Sequence, residues 1–209
     1  MKQRLNRVGL PVHMSLLATL LLVLSGCSDH KLPPLAENAQ ILAFGDSLTL
    51  GVGVPSAQSY PAILARLSGR EVINAGVSGE TTAQGLERLP ELLERHQPAL
   101  LILLQGGNDV LRNVPAETVE ANLGRMIEMA QQKGVAVLLV GVPEKGVFAD
   151  TADWYENLSD DYGVPLEEEI IADLMGRLSM KSDYVHFNEK GYQALAEAIY
   201  QKLQGSGAL

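Results

Sequence analysis

The chain has 209 residues, with 16 Lys and Arg against 25 Asp and Glu, four His and a single Cys. One thiol excludes an internal disulfide, a Cys-x-x-Cys redox pair and a multi-cysteine zinc site, and a formal charge of −9 argues against a general nucleic-acid binder, whose phosphate contacts need a basic surface. With 46% hydrophobic residues, a chain of this length supplies enough apolar side chain for the core of one domain.

Lys2, Arg4 and Arg7 give a basic start, and Met14 to Leu24 is an apolar run without charge. The run is about half the roughly 20 residues that a spanning helix needs, so it reads as the core of an export signal. Leu24-Ser25-Gly26-Cys27 follows and resembles the lipobox of bacterial lipoproteins, where cleavage leaves the cysteine first and its sulfur carries diacylglycerol. That resemblance implies a signal peptide over 1–26 and a lipidated Cys27. With Ser28 beside it, and in a Gram-negative host, it implies an anchor in the outer membrane facing the periplasm. An ordinary cleaved signal with an incidental Cys27 is the alternative. Loss of residues 1–26 removes three basic residues and no acidic one, leaving 13 against 25 and a formal charge of −12. Ser28 to Asn38 is polar, holds a Pro pair and has no apolar period, so residues 27–38 are expected to form a tether.

Ile41 to Phe44 is the first short apolar run, followed by a glycine-containing loop and a helical stretch through Ile63, Leu64 and Leu67. Glu71 to Ala75 and Leu100 to Leu104 are further strands, and Val135 to Val140 is the most hydrophobic of them. Val119, Leu123, Met126, Ile127 and Ala130 fall on one helical face that Gly134 ends; Tyr192, Leu195, Ala196, Ile199 and Leu203 form another. A short fifth strand is expected near Val164. Unbroken apolar strands alternating with amphipathic helices predict an α/β fold over 39–209, a three-layer α/β/α sandwich around a mostly parallel, flavodoxin-like sheet.

In such a sheet the loops after the strand C-termini converge on a crevice where ligands bind. Those loops are Gly45-Asp46-Ser47-Leu48, Asn74 to Thr81 and Gly106-Gly107-Asn108-Asp109. A serine, glycine-rich backbone and an amide side chain are the parts of an acyl-transfer site, supplying a nucleophile and N–H donors for an oxyanion. A serine hydroxyl needs a base, and elimination selects it. His13 lies in the signal and His30 in the tether, while His96 ends a helix before the third strand, at the opposite edge of the sheet. His186 remains, with Asp183 three residues earlier, a spacing that one turn can fold so that the carboxylate orients the ring.

These blocks resemble the GDSL, or SGNH, hydrolases, in the branch of periplasmic thioesterase/lysophospholipases often called arylesterases. The resemblance implies Ser47 as nucleophile, His186 as acid/base and Asp183 as its orienting partner. It also implies an oxyanion hole of the Ser47 and Gly79 backbone N–H groups with the Asn108 amide. Phe187 departs from the pattern, since many members have proline after the histidine. Asp46 and Asp109 are expected to make structural hydrogen bonds in their loops. Glu167 to Glu169 are expected on the solvated face of the helix through Ile170, Ile171 and Leu174 rather than at a metal.

The expected function is hydrolysis of aryl, short-chain or lipid esters by a monomer without cofactor or metal, with the membrane reached only through Cys27 and no nucleic-acid partner. Phe148 or Trp154, in the loop after the fourth strand, lines an acyl pocket or packs on the core. Two rivals stay open: an acetylesterase or O-acetyltransferase of envelope polysaccharide, and a non-catalytic lipoprotein that uses the crevice for binding.

Overall fold

The computed structural model describes residues 30–146 and 150–209. The signal segment, Cys27 and Phe148 lie outside these residues.

Strands β1 (Gln40–Gly45), β2 (Glu71–Gly76), β3 (Leu100–Leu104), β4 (Ala136–Val140) and β5 (Leu166–Glu167) form one sheet in the order β2-β1-β3-β4-β5, and every pairing is parallel. The central strands read as unbroken apolar runs because helices cover both of their faces. Ile41 to Phe44 and Leu100 to Leu104 are wholly buried, and each Leu, Ile or Phe among them contributes about 1.5–3 kcal/mol of gross hydrophobic stabilisation. The edge strand β2 is more exposed. The fifth strand starts two residues after Val164. It takes in Glu167, which therefore belongs to the sheet and not to the following helix.

Parallel neighbours require crossovers, and the helices supply them: α1 (Ser47–Leu50), α2 (Tyr60–Ser68), α3 (Thr82–His96), α4 (Gly107–Leu111), α5 (Ala116–Gln132), α6 (Trp154–Tyr162), α7 (Ile170–Met175) and α8 (Glu189–Gly205). Helix α2 packs with α8 and α7 lies against α8, while α5 packs between α3 and α6. The expected faces of α5 and α8 are the ones buried. Among the described residues no helix is long and apolar enough to cross a membrane.

From β1 the chain moves outward to β2, then returns to place β3 on the other side of β1. The strand order therefore reverses between β1 and β3, and the crevice outside the carboxyl ends of those two strands is the ligand position such sheets provide.

The segment expected as a tether is docked from His30 onward. Leu32 and Leu35 are buried, the Leu32 N–H donates to the Ser206 carbonyl at 2.9 Å, and the Leu35 N–H donates to the Ala208 carbonyl at 2.9 Å. Arg70 Nη2 also donates to the Leu35 carbonyl at 3.1 Å. The two leucines find apolar cover at the C-terminal end of α8, which local composition could not reveal.

Candidate active site

Strand β1 ends at Gly45, and Asp46 caps the short helix that Ser47 begins, its Oδ1 accepting from the Leu48 N–H at 3.0 Å. Ser47 is thereby held at the mouth of the crevice, 9% exposed. Its Oγ lies 3.1 Å from His186 Nε2, and His186 Nδ1 lies 2.7 Å from Asp183 Oδ2. The other carboxylate oxygen, Oδ1, accepts from the Val185 N–H at 2.9 Å and the His186 N–H at 2.8 Å, so Asp183 shapes the turn that presents the ring as well as touching it. These bonds, the one to the His186 ring foremost, pull the Asp183 carboxyl down to about 2, so it is ionised throughout the neutral range.

Phe187 has a structural use. Its ring is buried edge-on to Tyr192 at 5.7 Å, and the Tyr192 hydroxyl donates to the Val52 carbonyl at 2.8 Å. The histidine loop is thus pinned to α8 and to the turn after α1.

The backbone N–H groups of Ser47 and Gly79 meet no acceptor within the described residues. Gly79 has φ of 79°, a left-handed conformation that glycine adopts without strain, and Arg112 Nη2 holds its carbonyl at 2.9 Å. Asn108 stands beside them at the start of α4. The approach to it requires Gly106, with φ of 123°, where a Cβ would run into the Tyr155 hydroxyl. The Asn108 amide donates to Asp46 Oδ2 at 3.1 Å and to the Glu80 carbonyl at 3.1 Å. Both of its hydrogens are engaged, so one has to be shared or released before the amide can serve an incoming oxyanion.

A second tier of polar contacts holds the loops. Asp109, buried, accepts from the Thr82 N–H at 2.8 Å and the Thr82 hydroxyl at 2.7 Å, joining α4 to the start of α3. Buried Glu80 takes two 2.7 Å bonds from Arg88 and one of 2.9 Å from Gln105 Nε2, while Arg88 lies over the Phe44 ring. Burial is the main cause that raises the Asp46 carboxyl to about 6; Glu80 and Asp109 add to it, and the Leu48 N–H and His186 oppose it.

His96 sits in the last turn of α3, before β3 and away from this edge, and His30 contacts Asp160 at 3.4 Å. Trp154 is half-buried against the core and 6.0 Å from the Tyr155 ring. Among the described residues, no group of three or more His, Cys, Asp or Glu is gathered to hold a metal. Glu167, Glu169, Asp173 and Lys202 line a separate cleft of about 380 Å³ between α7 and α8. The three loop blocks supply Ser47 and Asn108 and elimination of the other histidines selects His186 with Asp183, whereas Gly79 is singled out only by the family resemblance. The Asp46 bridge to Asn108 and the Glu80, Arg88 and Gln105 cluster were missed, because each joins residues of different loops or elements.

Residues 43–194 match the GDSL-like lipase/acylhydrolase family. The chain is 45% identical over 60 residues to the thioesterase 1/protease 1/lysophospholipase L1 of Escherichia coli K12, a stretch covering 28% of this chain and 29% of that protein. It is 39% identical over 127 residues to esterase TesA of Pseudomonas aeruginosa, covering 58% and 63%. These matches thus span less than two thirds of either relative. Among solved structures, the SGNH-hydrolase family esterase AlinE4 superposes with a TM-score of 0.64 at 32% identity, covering 81% of this chain and 97% of that one. A TesA crystal structure superposes with a TM-score of 0.72 at 26% identity, covering 80% and 99%.

Proposed function

Because the chain belongs to the GDSL-like lipase/acylhydrolase family, we propose that it is a serine esterase that cleaves carboxylic esters through an acyl-enzyme on Ser47. The hydrogen-bonded line from Ser47 Oγ through the His186 ring to the Asp183 carboxylate carries this reading. His186 takes the hydroxyl proton as Oγ attacks the ester carbonyl, and Asp183 stabilises the resulting imidazolium. The oxyanion is held by the N–H groups of Ser47 and Gly79 and by the Asn108 amide, which turns one hydrogen away from the Glu80 carbonyl. His186 then gives its proton to the leaving alcohol. Water, deprotonated by the same ring, attacks the acyl-enzyme and releases the acid.

Exposed apolar side chains near the site support a substrate class. Leu50, Val77, Leu111 and Tyr184 are exposed in the segments that carry Ser47, Gly79, Asn108 and His186. An apolar rim favours aryl and acyl esters, lysophospholipids and thioesters among them, over acetylated glycans. A panel of nitrophenyl esters of rising acyl length, with lysophospholipid, a thioester and an acetylated glycan, tests this on the soluble form beginning after Cys27. Turnover that increases from acetyl to longer chains is expected. Acetyl release from the glycan alone would move the protein to the acetylesterase or O-acetyltransferase reading.

Residues 1–26 are proposed to export the chain and Cys27 to carry its lipid. In a Gram-negative host the protein would then act as a monomer on the outer membrane, facing the periplasm. The lipobox-like Leu24-Ser25-Gly26-Cys27 supports this, and a mass of the mature chain that includes attached acyl groups is the expected result.

Two substitutions probe the oxyanion side. Asn108→Ala is expected to lower kcat by about 10²- to 10³-fold, the usual cost of one oxyanion donor. Asp46→Asn should lower kcat by about tenfold with KM unchanged, the effect of one hydrogen bond to a charged group. An amide at position 46 can accept from the Leu48 N–H or from the Asn108 amide, but its own NH₂ then faces the other donor. The same variant alters the pH response of stability. Since the folded-state value of Asp46 lies above the ordinary 3.8, the native fold binds this proton more tightly than the unfolded chain does. Stability contributed here therefore falls as pH rises from about 4 to about 6. Thermal melts should show the native chain losing ground to Asp46→Asn across that interval.

A further inference from the structure

The docked segment after Cys27 determines which way the crevice faces if that cysteine carries lipid. Its contacts all lie at the edge where the strands begin. The Leu32 N–H reaches the Ser206 carbonyl and the Leu35 N–H the Ala208 carbonyl, just past the end of α8. Lys31 Nζ donates to the Gly205 carbonyl at 2.9 Å, and Arg70, which holds the Leu35 carbonyl, immediately precedes β2. The reacting groups lie at the other edge. His186 comes just before α8 begins, and the 17 residues of that helix separate it from Leu32 by about 26 Å at 1.5 Å per residue. Strand β1 gives a similar measure, its six residues spanning about 20 Å between the docked segment and the Ser47 loop.

Cys27 is three residues from His30, and three fully extended residues reach at most about 11 Å. To bring the mouth of the crevice onto the bilayer that holds Cys27, His30 would have to rise about 25 Å above it, more than twice the reach of the intervening chain.

We propose that lipid on Cys27 holds the domain with the edge bearing Leu32, Leu35 and Ser206 toward the anchoring membrane and the Ser47 crevice toward the aqueous compartment. The enzyme then takes esters that are soluble, or dispersed as single amphiphiles, and not esters embedded in its own leaflet. This rests on the lipidation and esterase readings above. The apolar rim of Leu50, Val77, Leu111 and Tyr184 receives the acyl or aryl part of a substrate arriving from water.

The test uses the full chain, produced with its leader, purified from membranes and reconstituted into dilute phosphatidylcholine vesicles, so that only the enzyme's own bilayer is within reach. Two nitrophenyl butyrates are compared, one soluble and one whose ring carries a dialkyl membrane anchor. The comparison variant has 30 Gly/Ser residues inserted between Ser28 and Asp29, a flexible spacer of about 30 Å root-mean-square length. The extended variant is expected to hydrolyse the anchored ester at least tenfold faster than the native-length chain, while both hydrolyse the soluble ester within twofold of each other. Equal rates on the anchored ester would overturn the proposed orientation. A Cys27 peptide without lipid by mass spectrometry would also overturn it, through the anchor. Loss of soluble-ester hydrolysis in both proteins would instead overturn the esterase reading.

Discussion

Alanine at position 47 is expected to lower kcat/KM for a short-chain nitrophenyl ester by about 10⁵- to 10⁶-fold while circular dichroism and Tm stay those of the native chain. The size follows from the proposed mechanism, in which Ser47 Oγ is the atom that forms the acyl-enzyme. The intact fold follows from the local contacts. Among the described residues, Ser47 Oγ has only His186 as a hydrogen-bond partner, and the start of α1 is capped by Asp46, not by Ser47. The residual rate above water, about 10³- to 10⁴-fold, is what the oxyanion donors and substrate binding supply without the triad. Undiminished hydrolysis by a pure Ser47→Ala preparation would remove Ser47 from the mechanism.

Asp183→Asn comes next, with an expected loss in kcat of about 10⁴-fold. Asparagine can keep the turn, because its carbonyl oxygen still accepts from the Val185 and His186 N–H groups. Its NH₂ then occupies the place of the oxygen that now lies 2.7 Å from His186 Nδ1. A donor there favours the tautomer with an unprotonated Nδ1. The hydrogen moves to Nε2, facing Ser47, and the ring can no longer accept the serine proton. Since the carboxyl is held near 2, the native chain should not lose this interaction above about pH 3. A variant with near-native kcat would mean that Asp183 only shapes the loop.

Much of this was legible in the linear sequence, for identifiable reasons. Strands β1, β3 and β4 are buried on both faces, so each leaves an unbroken apolar run such as Leu100 to Leu104. Helices α5 and α8 bury one stripe each and show it as period. Site residues are legible because a parallel sheet sends the loops after β1, β2 and β3 to one edge, so separate short motifs can be added together. His186 followed because the other histidines fall elsewhere along the chain. The rest depends on tertiary partners. Leu32 and Leu35 sit in a Pro-containing polar stretch and become buried only against residues near position 206. Glu80 and Arg88 are eight residues apart, a spacing with no local meaning, and they meet where Arg88, in the second turn of α3, pairs with the loop that precedes the helix. Nothing near Asn108 in sequence shows that Asp46 and the Glu80 carbonyl already hold both of its amide hydrogens. Glu167 was expected on a helix and lies in β5, where two paired residues are too few to leave a pattern.

The esterase mechanism is tested most directly by reacting the soluble protein with a fluorophosphonate and mapping the adduct by peptide mass spectrometry. A phosphonyl group on Ser47, at one per chain and in step with the loss of ester hydrolysis, is the predicted result. Full inactivation with the adduct on another residue, or undiminished hydrolysis by protein fully modified at Ser47, would contradict it.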